Sequence, residues 1–177
     1  LVGPVGTDLD TVYQSLKDAL QCVRYKAYRI HLSQMMHGLA GDPWDALPEI
    51  EPYDTRLNRY MTAGNKFRER TEHNNAMALM AMIAIRSQRE EHISEPRRAY
   101  IIKSLKREEE VQTLRRVYGP AFVLIAAYSS RTDRERRLAE DISRTRHALK
   151  SEDFVDDARK LMRRDEEESA APPLANE

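Results

Sequence analysis

The first stretch whose residue types could do chemistry is the turn Gly3-Pro4-Val5-Gly6-Thr7-Asp8. It lies between the apolar pair Leu1-Val2 and a segment with Val12, Leu16, Ala19, Leu20 and Val23 on one helical face. A glycine-rich turn from strand to helix offers backbone N–H groups and a helix N-terminus to an anion. Gly3, Gly6, Thr7 and Asp8 are therefore candidate nucleotide-binding residues. Against the phosphate-loop pattern G-x-x-x-x-G-K-[ST] the match is partial. Gly3 takes the first position, while Asp8 stands at the second Gly, Leu9 at the Lys and Asp10 at the Ser/Thr. The ammonium that would hold phosphate is missing, and two carboxylates would repel it. A tight turn with Asp8 or Asp10 as helix cap accounts for the same residues without a ligand.

A second group is basic. Arg131, Arg134, Arg136, Arg137, Arg144 and Arg146 form the densest basic cluster of the chain. Guanidinium groups closing over phosphates would neutralise charge as in phosphoryl transfer. On a solvated helix, Glu135, Glu140 and Asp141 would instead offset them by i,i+4 pairing. Arg134 and Arg137 are the phosphate candidates, followed by Arg59 and Arg68 on the segment from Tyr53 to Arg70. Nucleic acid finds no clear signature: 29 basic residues cancel 29 acidic ones, and only Tyr128 lies near the cluster for stacking.

Phosphoryl transfer also needs a carboxylate at a strand end to hold Mg²⁺, yet the strand in YIIKSLK ends in Lys103-Ser104. Ser104 is left to touch a metal-bound water, which keeps a Mg-nucleotide open as a ligand. The histidines His31, His37, His73, His92 and His147 include no H-x-E and no i,i+3 or i,i+4 pair, and C-x-x-C is absent. A zinc hydrolase or deaminase centre is thus excluded within these 177 residues. Cys22, the single cysteine, reads as a packed helical thiol.

These residues need elements to position them. Tyr25 to Leu32 and Ala99 to Ile102 read as strands, and the uncharged run from Ala121 to Tyr128 reads as a strand covered on both faces. Val111, Leu114, Val117 and Tyr118 mark a helix between the last two, stopped by Gly119-Pro120, so a βαβ unit is expected. Residues 38–52 read as a loop anchored by Trp44. Helices are expected from Tyr53 and over Ala76 to Ile85, the latter apolar almost all round and hence central. Thr132 to Glu135 has the form of a capping box. Ser151 is expected to cap a last helix burying Phe154, Val155, Ala158, Leu161 and Met162. The fold class is α/β with a parallel sheet. One domain over 1–168 and a tail over 169–177 are expected. No run of about 20 apolar residues is present, so no membrane span is expected. A lone cysteine makes the cytoplasm the default. The opening Leu-Val-Gly suggests a first strand truncated at its start.

Taken in order, GPVGTDLD, YRIHLS, RLNRYMTAGNKFRERT, RRAYIIKSLKREEEVQTLRRVYGPAFVLIAAY, RERRLAEDI and LMRRDEEE resemble the N-terminal half of bacterial anti-phage deoxycytidylate deaminases. The resemblance runs over nearly the whole chain. It implies a three-layer, parallel-sheet domain of the P-loop NTPase and nucleotide-kinase type with a degenerate phosphate loop. It further implies a zinc-dependent deaminase domain, carrying H-x-E and P-C-x-x-C, that is not in this chain. The whole protein would deaminate dCMP or dCTP and deplete the pool a replicating phage needs, as a homo-oligomer. On that reading this chain holds no catalytic residue, binds a nucleotide, and is a fragment whose LANE ending lies near the link. A stand-alone nucleotide kinase, and a dead kinase fold used for oligomerisation or docking, are the alternatives.

Overall fold

The computed structural model describes residues 1–47 and 52–170. Residues 48–51 of the expected loop and 171–177 of the expected tail lie outside the described residues. The elements run α1 (Leu9–Cys22), β1 (Lys26–His31), α2 (Leu32–Met35), α3 (Tyr53–Thr71), α4 (Ala76–Glu91), β2 (Arg98–Lys103), α5 (Glu108–Tyr118), α6 (Arg131–Thr145) and α7 (Val155–Ala170).

The chain is α/β, and β1 pairs in parallel with β2, from Lys26 opposite Arg98 to His31 opposite Lys103. Leu1 and Val2 extend this layer. The Leu1 ammonium donates to Ile102 O at 2.8 Å, and Ser104 N–H donates to Leu1 O at 3.2 Å. On the other side Val2 N–H donates to Ile125 O at 2.9 Å, and Ala127 N–H donates to Val2 O at 2.8 Å. The extended segments therefore lie side by side as 26–31, 98–103, 1–2 and 125–127. The strand expected after α5 does not pair with β2, because Leu1-Val2 lies between them.

Helices pack on both faces of this layer. Strand alternation sends Ala27 and Ile101 to one face, with Leu1, Ile125 and Ala127, against Leu9, Val12, Leu16 and Leu20 of α1. Ile30, Ile102 and Val2 point the other way, into Met77, Met80, Ala81 and Ile85 of α4 and Leu114 of α5. Leu114 is fully buried, a burial that contributes about 1.5–3 kcal/mol. A third cluster joins α6 and α7 through Leu138, Ile142, Ala158, Leu161 and Met162, with Val5 of the turn and Leu57 of α3 against it.

Several expectations need correction. The run from Ala121 to Tyr128 is not a covered strand. Gly119–Ala121 is a 3₁₀ turn, only Ala126 forms a bridge, and Val123 and Tyr128 are exposed. It meets its inner neighbour Leu1-Val2 only through the Val2 contacts to Ile125 and Ala127. α4 buries one side only, leaving Leu79 and Ile83 exposed. Cys22 is exposed rather than packed, because it lies off the stripe that α1 turns to the sheet. The cap of α6 lies two residues before Thr132, with Ser130 Oγ accepting the Asp133 N–H at 3.1 Å. Ser151 makes no side-chain cap and precedes a 3₁₀ turn over Glu152–Phe154. Trp44 is buried as expected and packs on Phe67.

Candidate functional site

The turn before α1 is shaped by close approach. Gly6 has φ +86°, and a Cβ there would lie 2.9 Å from both Cβ and O of Arg134. Only glycine lets α6 sit this close to the turn. A Cβ on Gly3 would lie 3.0 Å from a Leu9 methyl and 3.1 Å from Ala127 O. Thr7 N–H donates to Pro4 O at 3.1 Å, which closes the turn. Asp8 then caps α1, accepting the Thr11 N–H at 3.0 Å and the Thr11 hydroxyl at 2.7 Å. Arg137 Nη1 lies 2.5 Å from the same carboxylate. Burial alone would push the Asp8 carboxyl up, but the Thr11 amide, Arg137 and the Thr11 hydroxyl hold it at about 2.

The other side of the turn meets α7. Val5 N–H donates to Asp165 Oδ2 at 2.8 Å, and Val5 O accepts from Arg134 Nη1 at 3.3 Å. Lys106 Nζ donates to Asp165 Oδ1 at 2.6 Å and to Glu168 at 3.3 Å. Arg134 itself is buried, and its second Nη lies 3.8 Å from Glu166.

Below the turn, at the carboxyl ends of β1 and β2, Asp10 is held by Lys103 Nζ at 3.0 and 2.9 Å, one contact to each oxygen. Arg29 also donates to Asp10 and lies over the Tyr13 ring. Burial pushes the Asp10 carboxyl up, but Lys103 and then Arg29 outweigh it and hold it below the ordinary range. The neighbouring His31 is shifted down, first by burial and then by Arg29 and Lys103. In a magnesium-dependent phosphoryl-transfer site the helix position carries a hydroxyl and the strand position a carboxylate. Here the helix carries the carboxylate and the strand the ammonium, and the two neutralise each other.

Between the turn and α6 lies an open groove of about 310 Å³, lined by Gly6, Asp8, Ser129 and charged side chains of α6. Three arginines and four carboxylates face it, so its charge is mixed. Arg136 pairs with Glu140 at 2.9 Å and Arg144 pairs with Asp141, while Arg146 reaches Asp54 at 2.7 Å. Burial raises the Asp141 carboxyl against the opposing effect of Arg144 and Arg137.

The candidate residues are thus partly assembled. Gly3, Gly6, Thr7, Asp8, Arg134 and Arg137 meet at the turn. Arg68 is buried in α3, donating from Nε at 3.0 Å and Nη2 at 2.6 Å to Glu110 Oε1. Glu110 also accepts the Lys106 N–H at 2.9 Å, so Arg68 reaches the turn only through Glu110, Lys106 and Asp165. Arg59 donates to Ala46 O at 3.0 Å, on the Trp44 loop. Two participants were missed in the sequence. The Asp10–Lys103 contact had a signal, since both residues depart from the pattern with opposite charge. Asp165 had one as well, since it continues the spacing of Ala158, Leu161 and Met162 on the face expected to be buried.

Among the described residues no group of three or more His, Cys, Asp or Glu is placed to hold a metal ion. No helix among them is long and apolar enough to cross a membrane. No family model, no curated protein and no solved structure matches the chain.

Proposed function

We propose that this chain is a degenerate P-loop-type nucleotide-binding domain, regulatory rather than catalytic, of a deoxycytidine-nucleotide deaminase that acts against phage. The family part of this reading rests on the sequence resemblance. The architectural part is supported by the order 26–31, 98–103, 1–2, 125–127 and by helices on both faces, as a three-layer kinase-like domain requires. The turn lies at the carboxyl ends of these segments, where parallel α/β sheets bind ligands.

The observation that carries the non-catalytic part is the Lys103–Asp10 ion pair. Phosphoryl transfer depends on positioned positive charge at the transferring group. Leu9 contributes none, and Lys103 is spent on Asp10. A nucleotide bound here would rely on the turn's backbone and on Arg137, without transfer. Deamination would belong to a zinc domain outside this chain.

Titration calorimetry with dCTP, dTTP and ATP, with magnesium and with EDTA, tests the reading. Binding insensitive to EDTA is expected, together with no conversion of ATP and a nucleoside monophosphate to diphosphates. Magnesium-dependent turnover near the ~1–100 s⁻¹ of kinases would instead make the chain an enzyme. The docking-module alternative draws on one feature, the charge-free outer segment with Val123 and Tyr128 exposed. It becomes the better reading if no nucleotide binds to the folded protein.

A further inference from the structure

We propose that Asp165 is an internal anion seated on the phosphate-binding turn, and that a phosphoryl group enters by displacing it from Val5 N–H and Lys106. The inference rests on the reading of this turn as a phosphate site, and it names how that site is regulated.

Four observations carry it. Asp165 is 6% exposed and lies 160 residues from Val5 in sequence, yet its carboxylate accepts the Val5 N–H at 2.8 Å. Its other oxygen takes the Lys106 ammonium at 2.6 Å. A backbone amide and an ammonium converging on one carboxylate form the kind of donor set that phosphate oxygens also use. Arg134 is 8% exposed beside Gly6, and its Nε is buried without a partner. Thr7 Oγ1, in the same turn, is likewise buried and unpartnered. Buried polar groups are ordinarily partnered, so these two leave room around the turn for a further acceptor.

A terminal phosphate carries up to two negative charges and three acceptor oxygens, against one charge and two oxygens for Asp165. The extra charge and oxygen favour it over Asp165 at Val5 N–H and Lys106. Once displaced, Asp165 faces Glu166 and Glu168 with one fewer cation, so α7 must shift or recruit a new partner. Occupancy of the turn is thereby reported along α7, whose acidic stretch also holds Arg131 and Arg164 through Glu166 and Glu168.

The test compares wild type with Asp165→Asn for binding of tripolyphosphate and of dCTP, at ionic strength fixed with NaCl. Asp165→Asn should bind both ligands at least tenfold more tightly. Tighter tripolyphosphate with no dCTP binding keeps the internal anion and removes the nucleotide reading. Equal dCTP affinity in both proteins overturns the internal anion and leaves the nucleotide reading standing. No binding of either ligand to either protein overturns the proposal. A readout in the wild type covers the case in which Asp165→Asn folds poorly. Saturating tripolyphosphate should move the Val5 amide and Asp165 carboxyl resonances, and binding that leaves both unmoved overturns the proposal.

Discussion

Two arginine–carboxylate pairs, Arg68–Glu110 and Arg137–Asp8, use the same groups for opposite purposes. In the first, the side chains are 7% and 0% exposed, and Glu110 also receives the N–H groups of Lys106 and Arg107. It joins the last turn of α3 to the start of α5, in the protein interior. In the second, the side chains are 40% and 32% exposed, and solvent screens the contact between the turn and α6. Burial decides which arginine is fixed in the interior and which stays open to solvent.

Breaking the buried pair should have the largest effect. Arg68→Ala leaves Glu110 charged and buried, and should cost about 3–5 kcal/mol in urea unfolding. The double replacement Arg68→Met/Glu110→Leu should cost far less than the two single changes added together. Additive losses would mean that the pair is not the unit described here.

Gly6→Ala comes next. A side chain at φ +86° that also meets Arg134 at 2.9 Å should cost about 1–3 kcal/mol. The same change should loosen α6 from the turn, seen as faster amide exchange at Asp8 and Arg134.

Asp8→Asn keeps a competent cap and removes only the charge, so it isolates the exposed pair. The folded carboxyl sits at about 2, below its unfolded value, so ionised Asp8 stabilises the fold above the usual carboxylate range. That contribution is lost as pH falls through about 2. The difference in stability between wild type and Asp8→Asn should be level above pH 4, approximately, and shrink towards pH 2. A difference that grows with acid would contradict the assignment.

Arg137→Ala should have the smallest effect on folding, about 0–1 kcal/mol, and largely overlap with that of Asp8→Asn. Its effect on dCTP affinity should exceed its effect on stability, whereas Arg68→Ala should show the reverse. That crossed pattern is the sharpest statement of the contrast between the two pairs.

How much of this was legible follows from the range of each contact. The strands 26–31 and 98–103, the stop at Gly119-Pro120 and the Asp8 cap are local, and local chemistry suffices to read them. Arg68 carried an unread local signal. Met61, Gly64 and Arg68 recur at i, i+3 and i+7 and are all buried, so spacing places Arg68 on the inner face of α3. The run from Ala121 to Tyr128 misled because a lack of charge does not say how many of its residues find a ladder partner. For Asp165 the spacing from Ala158, Leu161 and Met162 marks the inner face of α7, but its partner lies 160 residues away and was out of reach.

That separation also governs when the turn can exist at all. Leu1 waits for Ile102, Val2 for Ile125 and Val5 for Asp165, so this segment is among the last to be fixed in place. Closing such long loops delays assembly through chain entropy, and contacts of high sequence separation form slowly. A folding chain can wind α1 and pack α3 on α4 well before the turn at Gly3–Asp8 has a floor. The turn is therefore completed late, when α7 docks and Leu1-Val2 takes its place between two segments already formed.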